Sequence, residues 1–309
     1  MRRVRYEING GPEVLFTEQV AAPLPGPGQL LVRVEAVGVT LPSVLHVREG
    51  PSPTPLAGEV VGVVTATGPG AGIQAGTRVA GMCLQDAYAE FVLLERSMAA
   101  AVPVDTRPAE AVALVRSGPI ARGVCSAGLV GRGESVLVTA AAGATGVLAV
   151  QLAKTAGAER VVAAVSDAGK APFALRFGAD EVLCYERMPP QRPVDVVVDG
   201  VGGELLDPAV RSLRRGGRLV AFAAAGGPLD SRELVARNAS VTGFQMAALA
   251  RDKPGLFACW RDELWDWHRN GLLHAPVHAE FPLAEAAAAH QAVESRRAQG
   301  KVVLTVSGD

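Results

Sequence analysis

Four short, continuous apolar runs recur through the middle of the chain, and alanine-rich stretches with helical spacing separate them. The runs read "SVLVTA", "RVVAAV", "DVVVDG" and "RLVAFAA". Apolar runs of this length between helical patterns are typical of parallel strands that helices cover on both faces. The middle of the chain is therefore predicted to fold as an α/β domain with a doubly wound parallel sheet.

The first hundred residues have a different texture. Runs such as "QLLVRVEAVGV" and "EVVGVVTATG" lie between Pro and Gly clusters, which predicts short antiparallel strands in a barrel-like domain. Near the end, "AEAAAAHQAVESRRAQG" predicts a helix closed by Gly300, and "KVVLTV" predicts a last strand. Because the residue pattern of the first hundred residues returns here, we place the barrel domain at 1–112, completed by 273–309, and the doubly wound domain at 113–272.

Composition and charge exclude several classes of partner. The 309 residues are 49% hydrophobic, which suffices for two cores, and the net charge of -1 leaves no basic stripe for nucleic acid or anionic lipid. No apolar run reaches the roughly 18 residues that span a bilayer, so we expect a cytoplasmic protein without a membrane partner. Cys83, Cys125, Cys184 and Cys259 stand far apart, and we expect them to be buried apolar side chains.

The stretch "AAAGATG" places a turn between the first apolar run and a helix. Ala140, Gly143 and Gly146 give the spacing A-x-x-G-x-x-G. Small residues let the backbone approach a pyrophosphate, the helix N-terminus favours negative charge, and Thr145 adds a hydroxyl donor. However, Ala140 replaces the leading Gly of the dinucleotide fingerprint, and a tightly packed turn needs the same small residues. The motif alone leaves both interpretations open.

The end of the next apolar run bears on which nucleotide such a turn would hold. Ser166 ends the run and Lys170 follows one helical turn later, and hydroxyl and ammonium donors favour the 2′-phosphate of NADP(H). Asp167 could instead serve the free ribose hydroxyls of NAD, but its type and position also suit a helix cap, which we prefer. Tyr185, after "DEVLC", could reach the same phosphate or simply pack at the sheet edge.

Several motifs in a fixed order carry a family resemblance over nearly the whole chain. They read "AAGATG", "VSDAGK", "FGADEVLCY", "VDVVVDGVGG", "LRRGGRLVAF" and "VESRRAQGKVVL", with "GPEVL", "PGPGQLLVRVEAVGV" and "AGTRVAG" in the first domain. This order resembles the medium-chain dehydrogenase/reductase superfamily, and within it the zinc-independent quinone oxidoreductase branch. The resemblance implies a GroES-like β-barrel catalytic domain plus a Rossmann domain, NADPH in the cleft between them, and a homodimer.

The resemblance also implies cofactor contacts at particular positions of this sequence. The pyrophosphate loop corresponds to Gly143, Ala144, Thr145, Gly146 and Val147, and the 2′-phosphate contacts to Ser166, Lys170 and Tyr185. Backbone passing the nicotinamide corresponds to Gly200, Val201, Phe222, Ala223 and Ala224, and the segment closing over the nicotinamide end to Asn238, Gly243 and Phe244.

The resemblance argues against a catalytic metal. Zinc-dependent members carry Cys where this chain has Thr40 and His where it has Gly58, although Glu59 remains. A zinc ion would lack two of its usual three protein ligands, so we expect no metal. Without a Lewis acid, the chemistry suits a substrate with its own electron sink, such as a quinone or an α,β-unsaturated carbonyl. An enoyl thioester is the alternative substrate, and a non-catalytic NADPH-binding protein is the alternative class.

The substrate region departs from the branch that the chain resembles. Quinone oxidoreductases usually have Asn at the position of Thr40 and Tyr after the "RxG" element, where this chain reads "REGPSPTP". Thr40 is our candidate donor to the substrate. Ser43 is a second candidate, or else begins the helix after Pro42, and the lone His46 is expected to be packed or solvent-facing.

Overall fold

The protein divides into two compact units in a computed structural model that describes residues 1–51, 53–222 and 226–306. One unit comprises residues 1–116 and 275–309, and the other comprises residues 117–274. The boundaries predicted from the sequence lie slightly earlier, with the second domain starting at 113 and the barrel domain resuming at 273. The helix Pro108–Val115 accounts for the first difference, because it packs on strands of the barrel before the chain leaves it.

The barrel unit is built from both ends of the chain. From residues 1–116 come the strands and helices β1 (Arg2–Arg5), β2 (Phe16–Gln19), β3 (Gln29–Val39), α1 (Leu41–Glu49), β4 (Gly58–Thr67), β5 (Arg78–Cys83), β6 (Phe91–Glu95), β7 (Ala99–Ala101) and α2 (Pro108–Val115). The other unit contains α3 (Ser117–Ala127), β8 (Ser135–Val138), α4 (Ala144–Thr155), β9 (Arg160–Val165), α5 (Ala171–Arg176), β10 (Glu181–Cys184), β11 (Val194–Asp199), α6 (Leu206–Arg211), β12 (Leu213–Ala221), α7 (Ser231–Arg237), β13 (Ser240–Gly243), α8 (Met246–Asp252) and α9 (Pro254–Arg269). Residues 275–309 add β14 (Val277–Pro282), α10 (Ala286–Glu294) and β15 (Lys301–Thr305).

The main sheet of the barrel unit runs β14-β15-β3-β4-β5-β7, and β6 also pairs with β3. Its ladders are antiparallel except between β14 and β15. Strand β3 covers the predicted run "QLLVRVEAVGV" and buries alternate residues along its first half. The last strand, β15, lies beside β3, so the C-terminus completes the first unit, as the returning texture predicts.

The second unit contains a parallel sheet in the order β10-β9-β8-β11-β12-β13. Strand β8, the first along the chain, is central, and the strand order reverses on either side of it. Loops at the carboxyl ends of β8 and its neighbours therefore meet at the position where open α/β sheets bind ligands. The predicted fold class, a GroES-like barrel plus a doubly wound parallel sheet, is confirmed.

Two sequence expectations are corrected. Helix α10 ends at Glu294, so Gly300 does not close it. Gly300 instead has φ +94° and packs so closely on Pro276 that a Cβ would lie 2.4 Å from its carbonyl oxygen. Cys83 and Cys125 are buried as expected, but Cys184 is half-buried and Cys259 is exposed on the amphipathic helix α9.

A buried polar pair lies in the barrel unit. The side chain of His290 is 1% exposed, and its Nε2 lies 3.1 Å from the hydroxyl of Tyr88, which is fully buried. Burial disfavours the charged imidazolium and lowers the pKa of His290 from 6.5 to about 4, although nearby Glu294 opposes this shift. Burial also raises the pKa of the Tyr88 phenol. Both side chains are therefore neutral near pH 7.

This pair predicts a loss of stability in acid. Between pH 6.5 and about 4 the unfolded chain binds a proton at His290 that the folded chain does not, so folding stability falls as the pH falls. We expect His290 to contribute about 3 kcal/mol to this loss. Denaturant unfolding at pH 7 and pH 4.5 would measure it against His290→Gln, which offers an amide to Tyr88 but cannot titrate. Parallel pH profiles for the two proteins would contradict this prediction.

Candidate functional site

The turn at 140–143, between β8 and α4, has the tight geometry that its sequence predicts. Gly146 approaches the turn so closely that a Cβ would lie 2.1 Å from the carbonyl oxygen of Ala140. Gly143 is the N-cap of α4, and no side chain caps the helix. Packing thus requires Gly146, while the uncapped N–H groups of α4 remain suited to an anion. The close approach at Gly146 confirms the tightly packed turn, and phosphate binding at the start of α4 stays a prediction.

Ala140 adopts the left-handed backbone conformation, which glycine takes most readily. Its φ is +49°, and its N–H donates to the hydroxyl of Tyr185 at 3.1 Å. Tyr185 follows β10, two strands away from β8, and its half-buried ring packs against the sheet's core. The structure therefore brings Tyr185 to the turn between β8 and α4, and its ring also packs as the alternative interpretation expected.

Ser166 and Lys170 lie together beyond the end of β9. The Lys170 ammonium donates to the Ser166 hydroxyl at 2.8 Å, and Lys170 is only 8% exposed. Asp167 accepts from the N–H of Gly169 at 3.0 Å and is the N-cap of the short turn that follows, as preferred from the sequence. Its carboxylate also lies 3.7 Å from the Lys170 ammonium. A buried ammonium with an adjacent hydroxyl is a donor set suited to a phosphate.

The loop after β11 is fixed by a carboxylate that sequence reasoning missed. Asp199 is fully buried and accepts from the Thr139 hydroxyl at 2.7 Å, the N–H of Val201 at 3.2 Å and the N–H of Gly202 at 3.0 Å. The Thr139 oxygen in turn accepts from the N–H of Gly200 at 2.8 Å. The signal in the sequence was a polar residue at the end of each of two apolar runs, "SVLVTA" and "DVVVDG".

The aromatic residues that the resemblance singled out pack on glycines. The Phe222 ring covers Gly200, where a Cβ would lie 2.5 Å from its Cζ. The Phe244 ring covers Gly123 of α3 in the same way, and a Cβ at Gly123 would lie 2.0 Å from the Phe244 Cζ. The backbone N–H of Phe244 donates to the carbonyl of Ala221. Asn238 is the left-handed C-cap of α7, and Gly243 ends β13. Ala223 and Ala224 lie outside the described residues.

Glu59, which zinc-dependent members share, has a structural partner in this chain. Its carboxylate is fully buried and accepts from the ammonium of Lys301 at 2.7 Å, while its other oxygen has no hydrogen-bond partner. Gly38 leaves the room for this pair, since a Cβ there would lie 2.3 Å from Glu59 Oε2. Among the residues that the structure describes, no three His, Cys, Asp or Glu side chains converge on one point.

The hydroxyl of Thr40, the candidate donor to the substrate, already has partners within the barrel unit. It is the N-cap of α1 and accepts from the N–H of Ser43 at 3.2 Å, and its hydroxyl lies 2.8 Å from that of Ser43. Ser43 donates to the carbonyl of Ala57 at 3.2 Å. Of the two alternatives for Ser43, the start of a helix after Pro42 is wrong, because α1 starts at Leu41 and Thr40 supplies the cap. The two hydroxyls form a connected pair.

His46 contacts the segment that follows α1. Its Nε2 lies 2.7 Å from the Thr54 hydroxyl, and the Thr54 N–H donates to the buried Tyr6 at 3.2 Å. His46 is thus a positioned side chain at the segment where the branch usually carries Tyr.

None of the helices in the described part of the chain is long and apolar enough to cross a bilayer.

Comparisons with known proteins agree with both units. Residues 26–105 match the family model of the alcohol dehydrogenase GroES-like domain, and residues 177–304 match the model described as zinc-binding dehydrogenase. A quinone oxidoreductase of Pseudomonas aeruginosa is 30% identical, with 98% of this chain and 99% of that protein aligned. A 2-haloacrylate reductase of a Burkholderia species is also 30% identical, with 96% of each chain aligned.

A mycobacterial protein solved in complex with NADPH has the same fold over its whole length. Its TM-score is 0.89 at 34% identity, covering 99% of this chain and 100% of the other. The fold and these relatives show that the protein is an NADPH-dependent oxidoreductase of two units. The chain belongs to the medium-chain dehydrogenase/reductase superfamily, in its zinc-independent quinone oxidoreductase-like branch.

Proposed function

We propose that this protein is an NADPH-dependent reductase that delivers hydride to a quinone or an α,β-unsaturated carbonyl compound. The observation that carries the proposal is the donor set at one edge of the Rossmann sheet. The uncapped N-terminus of α4 lies beside the Ala140–Tyr185 contact, and the buried Lys170 is bonded to Ser166 beyond the end of the adjacent strand. These groups suit a pyrophosphate and a 2′-phosphate on one ligand.

Each half of this donor set has a role in holding NADPH. The N–H groups of Ala144, Thr145 and Gly146 bind the pyrophosphate, since α4 has no side-chain cap. Ser166, Lys170 and the Tyr185 hydroxyl hold the 2′-phosphate, with Lys170 supplying the positive charge. Gly200, Val201 and Phe222 flank the nicotinamide, and Phe244 closes its end. When bound, NADPH supplies the hydride from C4 of its nicotinamide ring.

The Thr40–Ser43 hydroxyl pair supplies a hydrogen bond to the substrate oxygen. At rest Ser43 donates to the Ala57 carbonyl, so the Thr40 hydrogen points to the Ser43 oxygen. If Ser43 turns its hydrogen to Thr40 instead, the Thr40 hydrogen becomes free to bond an oxygen on which negative charge develops. A hydroxyl donor of this kind stabilises an enolate or hydroquinone anion without a metal.

The substrate class is supported by the relatives named as a quinone oxidoreductase and a 2-haloacrylate reductase, which act on acceptors that carry their own electron sink. The test is NADPH oxidation, followed at its nicotinamide absorbance, with a quinone, 2-chloroacrylate and an enoyl thioester. We expect turnover with one of the first two. Turnover with the thioester alone would favour an enoyl-thioester reductase. Tight NADPH binding without oxidation in all three assays would indicate a non-catalytic NADPH-binding protein.

We also propose that two copies of the chain pair as a homodimer through β13. This strand lies at an edge of the Rossmann sheet, and three of its four residues, Ser240, Thr242 and Gly243, are exposed. The described helices beside it in sequence, α7 and α8, contain no buried residue, and Val235 is 79% exposed. An open strand edge is a template for pairing with another chain. Light scattering should give twice the chain mass of 31.9 kDa.

A further inference from the structure

The two central strands of the Rossmann sheet are joined by a hydroxyl–carboxylate pair at each end. At their amino ends, the Ser135 hydroxyl donates to Asp195 at 2.6 Å, and the Ser135 N–H donates to the same oxygen at 2.8 Å. At their carboxyl ends, the Thr139 hydroxyl donates to Asp199 at 2.7 Å. We call these pairs the amino-end clasp (Ser135 and Asp195) and the carboxyl-end clasp (Thr139 and Asp199).

The two clasps differ in what lies beyond the strands. The amino-end clasp joins β8 and β11, and Asp195 also pairs with the half-exposed Arg214. The carboxyl-end clasp continues into the loop, because Asp199 accepts from the N–H groups of Val201 and Gly202, and Thr139 accepts from that of Gly200. Thr139 immediately precedes the turn at 140–143. One carboxylate thus connects the turn after β8 with the loop after β11.

Only an acceptor fits the place of the Asp199 carboxylate. Oδ1 faces the Thr139 hydroxyl and the Val201 N–H, and Oδ2 faces the Gly202 N–H, so both oxygens accept from backbone donors. An asparagine would put an NH2 group against one of these N–H groups in either orientation. The loop also has unusual backbone angles, with φ +69° at Gly202 and +58° at Gly203. Asp199 therefore fixes the start of this loop, at Val201 and Gly202.

We propose that Asp199 is a positioning residue that couples the two halves of the NADPH site. On the proposed function, on which this inference rests, the turn after β8 holds the pyrophosphate and the loop at 200–203 flanks the nicotinamide. The carboxyl-end clasp holds both in one arrangement, so the nicotinamide half binds without a separate ordering of the loop. Removing the clasp loosens the loop at 200–203. The turn at 140–143 keeps the bonds from the Ala140 N–H to Tyr185 and from the Gly143 N–H to Ala140, so the adenosine half stays in place.

The test compares a whole ligand with a fragment. Calorimetry would measure Kd for NADPH and for 2′,5′-ADP, which carries the adenosine phosphates but no nicotinamide, in the wild type, Asp199→Asn and Asp195→Asn. We expect Asp199→Asn to weaken NADPH about tenfold or more, the scale of one hydrogen bond to a charged group. We expect the same substitution to change the Kd of 2′,5′-ADP by no more than about twofold, which is less than the loss of one such hydrogen bond would cause. Asp195→Asn lowers Tm but leaves the ratio of the two Kd values unchanged.

Threonine variants keep the test decisive if Asp199→Asn does not fold. Thr139→Val removes the hydroxyl and should reproduce the selective loss of NADPH, whereas Thr139→Ser retains the hydroxyl and should restore wild-type ratios. Equal weakening of both ligands, or the same ratio in the Asp195 and Asp199 variants, would overturn the inference. Failure of the wild type to bind NADPH would instead contradict the proposed function, and the inference with it.

Discussion

Replacing Gly146 with alanine is expected to destabilise the Rossmann unit by about 3 kcal/mol or more, because the added methyl group meets backbone and not a movable side chain. Its Cβ would lie 2.1 Å from the carbonyl oxygen of Ala140, 2.7 Å from the carbonyl carbon and 2.8 Å from the Cα of Ala141. The turn and the first residues of α4 must shift together to relieve these contacts. Denaturant unfolding would measure the loss of stability, and calorimetry the accompanying loss of NADPH affinity.

Gly143→Ala is the matched control in the same turn. There a Cβ would lie 3.2 Å from the same oxygen, and φ at Gly143 is -78°, which any residue adopts. We expect a change in stability of less than about 1 kcal/mol, as a few tenths of an ångström of adjustment suffices. If the two variants lose the same stability, close approach at Gly146 does not explain the glycine.

Lys301→Met should destabilise the barrel unit by about 3–5 kcal/mol, since it leaves the Glu59 carboxylate buried without a counter-charge. The Lys301 and Glu59 side chains are 3% and 0% exposed, and one Glu59 oxygen already has no hydrogen-bond partner. Methionine matches the aliphatic length of lysine, so lost packing contributes little. Chemical denaturation near pH 7 would measure the difference from the wild type.

The double variant Glu59→Leu/Lys301→Met separates the charge effect from packing. Because it removes both charges, we expect it to recover most of the stability that the single variant loses. A free energy of unfolding for Lys301→Met within about 1 kcal/mol of the wild-type value would contradict this prediction, since a buried unpaired carboxylate costs more than that.

The fold was readable from the sequence because its signals are local. Continuous apolar runs between helical stretches predicted the parallel strands, and "QLLVRVEAVGV" coincides with β3. The spacing of Ala140, Gly143 and Gly146 likewise predicted a tight turn before α4. Helix ends were less predictable: Gly300 has the backbone angle of a helix-ending glycine, yet it serves a close approach to Pro276.

Two buried polar pairs were not readable from the sequence because their partners lie far apart in the chain. Thr139 and Asp199 are 60 residues apart, and Glu59 and Lys301 are 242 apart. No periodicity links such positions, and only the strand order of the folded sheets brings them together. Thr40 shows a related limit, since its type suits a substrate donor and a helix cap equally well, and the structure places it as a cap.

The most direct test of the account is the affinity of Lys170→Ala for NADPH and for NADH. Lys170 is the buried cation beside Ser166. Its removal should therefore weaken NADPH binding by about 1–3 kcal/mol and leave the affinity for NADH nearly unchanged. Lys154→Ala, which removes an ammonium paired with Asp180, is the control and should change neither affinity. Equal weakening of NADPH and NADH by Lys170→Ala would contradict the assignment of the 2′-phosphate site.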